Sequence, residues 1–180
     1  MKQKLADLPE DRIEPAPLFT YSAVNYFGPF VLREGCKEIK RYSVLFTCMA
    51  SRAIHIETAN TLETDSFINA LRRFQAQRGP LRQLRSDRGT NFVGAQRELE
   101  EALSEMDEDK VRNTLLEENC EWASFKINPP SASHMGGSWE RQIGTVRSVL
   151  GSLLEEAGHQ LDDESFRTLL KEVHAVVNPP

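Results

Sequence analysis

Residues 18–59 read LFTYSAVNYFGPFVLREGCKEIKRYSVLFTCMASRAIHIETA, and the fold turns on how this stretch divides. LFTYSAVNYFGPFVL (18–32), IKRYSVLFTCMA (39–50) and AIHIETA (53–59) are apolar and rich in β-branched and aromatic residues. The turn-like REGCKE and the short break Ser51-Arg52 separate them. Runs of that composition and length, punctuated in that way, predict three successive antiparallel strands.

Beyond Asn60 the apolar period lengthens. Phe67, Ile68, Leu71 and Phe74 share one helical face, with Asn60 and Glu63 spaced as a capping box and Gly79-Pro80 as a stop. LRQLRS then predicts a short strand running into an Asp87-Arg88-Gly89 turn, followed by helical runs in FVGAQRELEEAL and DEDKVRNTLLEEN. EWASFKIN supplies a fifth strand, and NPPSASHMGG is a loop by composition. Trp139, Ile143, Val146, Leu150 and Leu153 form the apolar stripe of a long helix ending near Gly158, and a last helix runs from Asp162 through Val177. Strands come first and helices later, with a strand-helix-strand-helix-strand stretch that suggests parallel pairing. The expected architecture is α/β: a five-stranded mixed sheet, three antiparallel strands and then two parallel ones, flanked by helices.

A chain of 180 residues with 39% apolar content suffices for one substantial core. Residues 1–17 are polar and interrupted by Pro9, Pro15 and Pro17, so they read as a flexible linker ahead of a single domain over 18–180. No apolar run is long enough to span a bilayer and the N-terminus lacks a signal-peptide centre, so an intracellular protein without membrane partners is expected. Cys36, Cys48 and Cys120 are odd in number and far apart, which suits structural thiols better than a zinc site. The net charge of -5 argues against nonspecific coating of nucleic acid, but charge is distributed unevenly. Arginines crowd the stretch from Arg72 to Arg97, whereas Glu98 to Asp109 is strongly acidic.

Three short pieces sit at the ends of elements, where side chains can converge without disturbing a core: VNYFGPF (24–30), RSDRGTNF (85–92) and SHMGGSWERQ (133–142). Asp87 leaves a strand and Glu140 enters a helix behind a glycine-containing loop. Two carboxylates brought together repel unless a cation joins them, and a hard divalent ion is the natural partner, Mg²⁺ first and Mn²⁺ second. Each acid also has an ordinary reading, Asp87 as a turn aspartate and Glu140 as a first-turn glutamate favoured by the helix dipole. His134 could contact substrate from its loop or hold a local hydrogen bond. His55 reads as structural, and His159 and His174 have no evident partners. Ser133-His134 lacks the elbow a hydrolase nucleophile needs. Trp139 belongs to its helix's packing stripe.

In LPEDRI, YFGPF, RYSVLFTC, RAIHIE, DSFINALRRF, RSDRGTNFVG, NPPSASHMGGSWER and TVRSVL the chain resembles the integrase catalytic core of BEL/Pao-type long-terminal-repeat retrotransposons, over roughly Leu8 to Asn178. The resemblance implies a ribonuclease H-like fold and metal-dependent DNA 3′-end processing and strand transfer through an Asp, Asp, Glu triad. It sets Asp87 and Glu140 at the second and third positions, both as ligands of Mg²⁺ or Mn²⁺. At the first position, where an aspartate is expected before YFGPF, stands Asn25. An amide keeps the carboxylate's shape without its charge, so metal binding should be weakened and strand transfer impaired. Arg147 and Arg141, with His134, are the implied DNA contacts. Gly144 stands where relatives carry a second basic residue, and it weakens the helix by about 1 kcal/mol against alanine. The implied partners are element ends and target DNA, bound by a homo-oligomer, with nuclear localisation if integration is the role. Two alternatives stand beside this reading: an inactive domesticated or degenerate domain that binds nucleic acid or protein, and a ribonuclease H acting on hybrids.

Overall fold

The computed structural model describes residues 15–87, 105–117, 124–128, 137–157 and 161–178. Its strands are β1 (Tyr21–Glu34), β2 (Lys37–Cys48), β3 (Ile54–Ala59), β4 (Gln83–Asp87) and β5 (Ser124–Asn128). Its helices are α1 (Thr64–Arg78), α2 (Glu108–Glu117), α3 (Gly137–Ala157) and α4 (Asp163–Val177). One sheet holds the strands in the order β3-β2-β1-β4-β5. β1 pairs antiparallel with β2, and β2 with β3. β4 runs parallel to both β1 and β5. The residues expected to form the helix 92–103, the loop before α3, and the linker through residue 14 lie outside the described residues, as do His134, His159 and Cys120.

Side-chain alternation along the central strands gives each sheet face its own core. Val24, Tyr26, Val44 and Phe46 face α1, where Phe67, Leu71 and Phe74 cover them, and Met106 and Val111 join from α2 and the residues before it. The Phe46 and Phe74 rings lie stacked, 4.1 Å apart and nearly parallel. Ala23, Phe27, Leu45, Ile54 and Ile56 face the other way, against Ile143, Val146 and Leu150 of α3 and Phe166, Leu169, Leu170 and Val173 of α4. The result is a three-layer α/β/α sandwich.

Three expectations are corrected. VNYFGPF does not end the first strand: Asn25 is well inside β1, which continues to Glu34. Pro29 has no N–H for the ladder, and the register shifts between Phe27 and Phe30 before pairing resumes. Gly28 makes this possible, since its φ is +129° and a Cβ there would lie 3.2 Å from the Arg41 carbonyl oxygen. Asn60 and Glu63 do not form a capping box, for Glu63 is the N-cap and its side chain makes no cap bond. Ser66 Oγ instead accepts from the N–H groups of Asn60 and Thr61 at 3.1 and 3.3 Å.

His174, the third correction, does have partners. Arg78 donates from Nε to His55 Nδ1 at 3.1 Å and from a terminal nitrogen to His174 Nε2 at 3.0 Å. A guanidinium can only donate, so both accepting ring nitrogens are unprotonated. His55 then gives its remaining proton to Glu57 Oε1 at 2.7 Å, and Arg73 Nε holds Glu57 Oε2 at 2.9 Å. Burial alone would raise the Glu57 pKa, but these two partners outweigh it and hold the carboxyl below its usual range. Burial, helped by the charges of Arg78 and Lys171, pushes His174 down to about 4. The chain of bonds ties α1 and α4 to β3. Asn178 finishes the tie: its side-chain amide accepts from Ile54 N at 2.9 Å and donates to Ile54 O, standing in for a further strand at the β3 edge.

Candidate active site

Asn25 lies at the centre of the sheet. It pairs with Leu45 on β2, and the β1–β4 ladder runs through Ala23↔Arg85 and Val24↔Ser86. The next step along both strands brings Asn25 level with Asp87, the last residue of β4. Asp87 in turn pairs with Asn128 on β5. A single row across three strands therefore reads Asn25, Asp87, Asn128.

Period two fixes which face Asn25 occupies. Ala23 and Phe27 belong to the α3/α4 core while Val24 and Tyr26 belong to the α1 core, so Asn25 is on the α3 side. It is only 8% exposed. Among the described residues its Nδ2 is buried without a hydrogen-bond partner. An amide donor stranded in this way costs roughly 1–3 kcal/mol, so this position is not one that packing alone would choose.

α3 brings in the third position. Gln142 Nε2 donates to Arg52 O at 3.0 Å, fastening the helix's first turns to the β2–β3 turn. Ile143 and Val146 are buried against the sheet, and Arg147 lies against residues 27–30 of β1. The backbone of Glu140 is thus in the first turn of a helix whose path follows the side of the sheet that carries Asn25. Arg147 follows seven residues on, about 10 Å along the axis at 1.5 Å per residue. Arg147 is half-buried, and this burial lowers its pKa from the usual guanidinium value. Arg141 is exposed on the same helix.

Sequence reasoning did not single out the row next to the acids. Arg85 is paired with Ala23 on one side and with Lys126 on the other, so two cationic residues stand directly opposite each other two residues before Asp87. The signal was present in LRQLRSD, where strand alternation sends Leu84 into the α1 core and leaves Arg85 on the opposite face.

These residues bear on the divalent ions that the resemblance implies. Two closely spaced ions need carboxylates that they share, and the first position offers one neutral amide oxygen. Two basic positions adjoin the second. The donor set thus lacks a shared carboxylate at the first position.

No protein-family model matches the sequence, and no curated protein matches it. Solved structures do. The fold superposes on a chain of the simian T-cell lymphotropic virus intasome in complex with PP2A regulatory subunit B56 gamma, with a TM-score of 0.51 at 13% identity. That match covers 91% of this chain and 51% of the other, so the chain spans about half the length of that relative. It also superposes on the HTLV-2 integrase catalytic core domain in complex with magnesium, in its dimeric form, with a TM-score of 0.56 at 11% identity, covering 91% and 88% of the two chains. At such identities the likeness is one of fold, and the fold of this chain is that of the retroviral integrase catalytic cores.

Proposed function

We propose that the chain is a retrotransposon-derived integrase core, of the BEL/Pao kind its motifs resemble, that engages DNA but is crippled in 3′-end processing and strand transfer by Asn25. The observation that carries this reading is Asn25 itself, buried on the α3 side of the sheet, its amide donor without a partner among the described residues, one step beyond the Val24↔Ser86 pair that leads β4 to Asp87. In-line displacement at phosphorus by this kind of site relies on charge held close to the attacking and leaving oxygens. With Asn25, one of the negative charges that would hold such ions is missing, whereas Asp87 and Glu140 retain theirs. Arg147 and Arg141 on α3 serve as phosphate contacts. The implied setting is the nucleus, with a homo-oligomer bridging two DNA ends.

The test is a strand-transfer assay in Mg²⁺ and in Mn²⁺ on the native chain beside Asn25→Asp. Loss of a metal-site partner costs at least about 10–100-fold in affinity or activity, so the revertant should exceed the native chain by at least that factor. A thermal melt adds a readout independent of chemistry. Mn²⁺ should stabilise the revertant, because binding to the folded state alone raises stability, and should leave the native melting temperature almost unchanged. Equal activity in the two proteins would refute the role given to Asn25. If both proteins are inactive and neither takes up metal, the domesticated or degenerate reading, which the same amide favours, replaces this one.

A further inference from the structure

The sheet face under α3 holds more unpartnered polar atoms than the one at Asn25. On β2, Ser43, Leu45 and Thr47 lie opposite Phe27, Asn25 and Ala23 of β1, so these side chains share the α3 side. Asn25 Nδ2, Ser43 Oγ and Thr47 Oγ1 are all buried without a partner among the described residues. Asn25 is 8% exposed, Ser43 0% and Thr47 2%. Folded proteins satisfy buried groups of this kind with protein atoms or with bound water.

Asn25 and Thr47 are the two that one small molecule can serve. They are diagonal neighbours across the β1–β2 ladder, a relation that sets Cα atoms about 7–8 Å apart. Neither bonds the other directly. A molecule bonded to both at about 2.8–2.9 Å spans up to about 5.7 Å between their polar atoms. Ala23 lies opposite Thr47 and two residues before Asn25 on the same face, and its methyl leaves a gap that a larger side chain would close. The corresponding corner between Asn25 and Ser43 belongs to Phe27, a buried ring. α3 roofs the Thr47 end: Gln142 is fastened to Arg52 O in the turn just past β2, and Ile143 and Val146 are buried in the same cluster. The amide nitrogen can only donate, whereas a hydroxyl both donates and accepts. Water is the smallest group that accepts from the first and bonds to the second, and it is the usual occupant of enclosed polar sites.

We infer that a buried water bridges Asn25 Nδ2 to Thr47 Oγ1 beneath α3, which makes Thr47 a positioning residue for the side chain at position 25. The water accepts from the amide and offsets the cost of burying both groups. An aspartate at position 25 would be served by the same molecule turned round, donating to the carboxylate. The bridge depends on register and burial alone, so it holds whether or not the chain engages DNA.

NMR of the full chain, with chemical unfolding beside it, tests the bridge. The side-chain amide protons of Asn25 should show a nuclear Overhauser effect to a long-lived water. Thr47→Ser keeps the hydroxyl and should keep that signal, while Thr47→Val should lose it. In unfolding, Thr47→Val and Asn25→Leu each remove one end of the bridge, so their effects should be coupled by at least about twofold in the unfolding equilibrium constant. Ser43→Ala and Asn25→Leu should combine independently. No water signal at the Asn25 amide of the native chain, its persistence in Thr47→Val, independent effects of Thr47→Val and Asn25→Leu, or coupling of Asn25 to Ser43 in place of Thr47 would each overturn the inference. The native-chain signal decides the matter even where a substitution on this buried face prevents folding.

Discussion

Mild acid should loosen this protein through one side chain, His174. Folding half-buries it between β3 and α1, where it accepts a hydrogen bond from Arg78, and drops its pKa from 6.5 to about 4. A histidine depressed in the folded state binds fewer protons there than in the unfolded chain, so stability falls as pH drops below the unfolded value and levels off below the folded one. The window therefore opens near pH 6.5 and closes near pH 4. From about pH 7 to pH 4.5 such a shift would withdraw roughly 2.5 kcal/mol. Because the ring is only half-buried, solvent screening reduces this to about 1–1.5 kcal/mol. In a urea titration with a slope near 2 kcal/mol per molar, that is a midpoint shift of about 0.5–0.75 M. His174→Gln isolates the effect, because its side-chain oxygen can accept the same Arg78 hydrogen bond and does not titrate. Glu57 and Asp163 are also held low, but by contacts both proteins share, and their loss belongs to more acidic conditions. If native and His174→Gln lose stability in parallel between pH 7 and 4.5, the Arg78–His174 bond does not set the titration and the reasoning fails.

Two further outcomes test the scaffold. Phe74→Ala removes a fully buried ring stacked on Phe46 and should cost about 3–5 kcal/mol in chemical unfolding, with a cost under 1.5 kcal/mol showing that the α1 face repacks. Asn178→Ala strips both bonds from Ile54 at the sheet edge, which should cost about 1–3 kcal/mol and expose a strand able to pair with another chain, so sedimentation should show concentration-dependent association beyond that of the native protein.

The fold was legible wherever burial imposed a period. The strand alternation in YSAVNYF (21–27) does not need the partner helices to be seen, and Phe67, Ile68, Leu71 and Phe74 mark α1 because a helix can bury only one stripe. What stayed hidden depended on groups far apart in sequence. Arg73 and Arg78 read as part of a basic stretch, yet both are committed inside, to Glu57, Thr58, His55 and His174. His174 reaches Arg78 across 96 residues, and no local spacing carries that. Ser66 took the capping role from Asn60 because a hydroxyl one turn inside the helix can gather two preceding N–H groups. At the candidate site, motif comparison picked out Asn25, Asp87 and Glu140, but only strand register shows Asn25 level with Asp87 and Arg85 opposite Lys126.

That register also says what the scaffold gains from an amide. A carboxylate at a position 8% exposed, level with a second carboxylate, carries both a desolvation cost and like-charge repulsion unless cations offset them. Asn25 removes both terms at the cost of one unmatched donor. In a metal-free solution the native chain should therefore be more stable than its aspartate form. A catalytic carboxylate of this kind is strain kept for function, and its neutral isostere relieves that strain while leaving the packing around Ala23, Phe27 and Leu45 as it was. Selection on folding alone would accept Asn25, and only selection on metal-dependent chemistry would remove it. On the proposed reading, fold and chemistry thus separate at a single side chain, with the α/β/α scaffold indifferent to the charge that strand transfer would need.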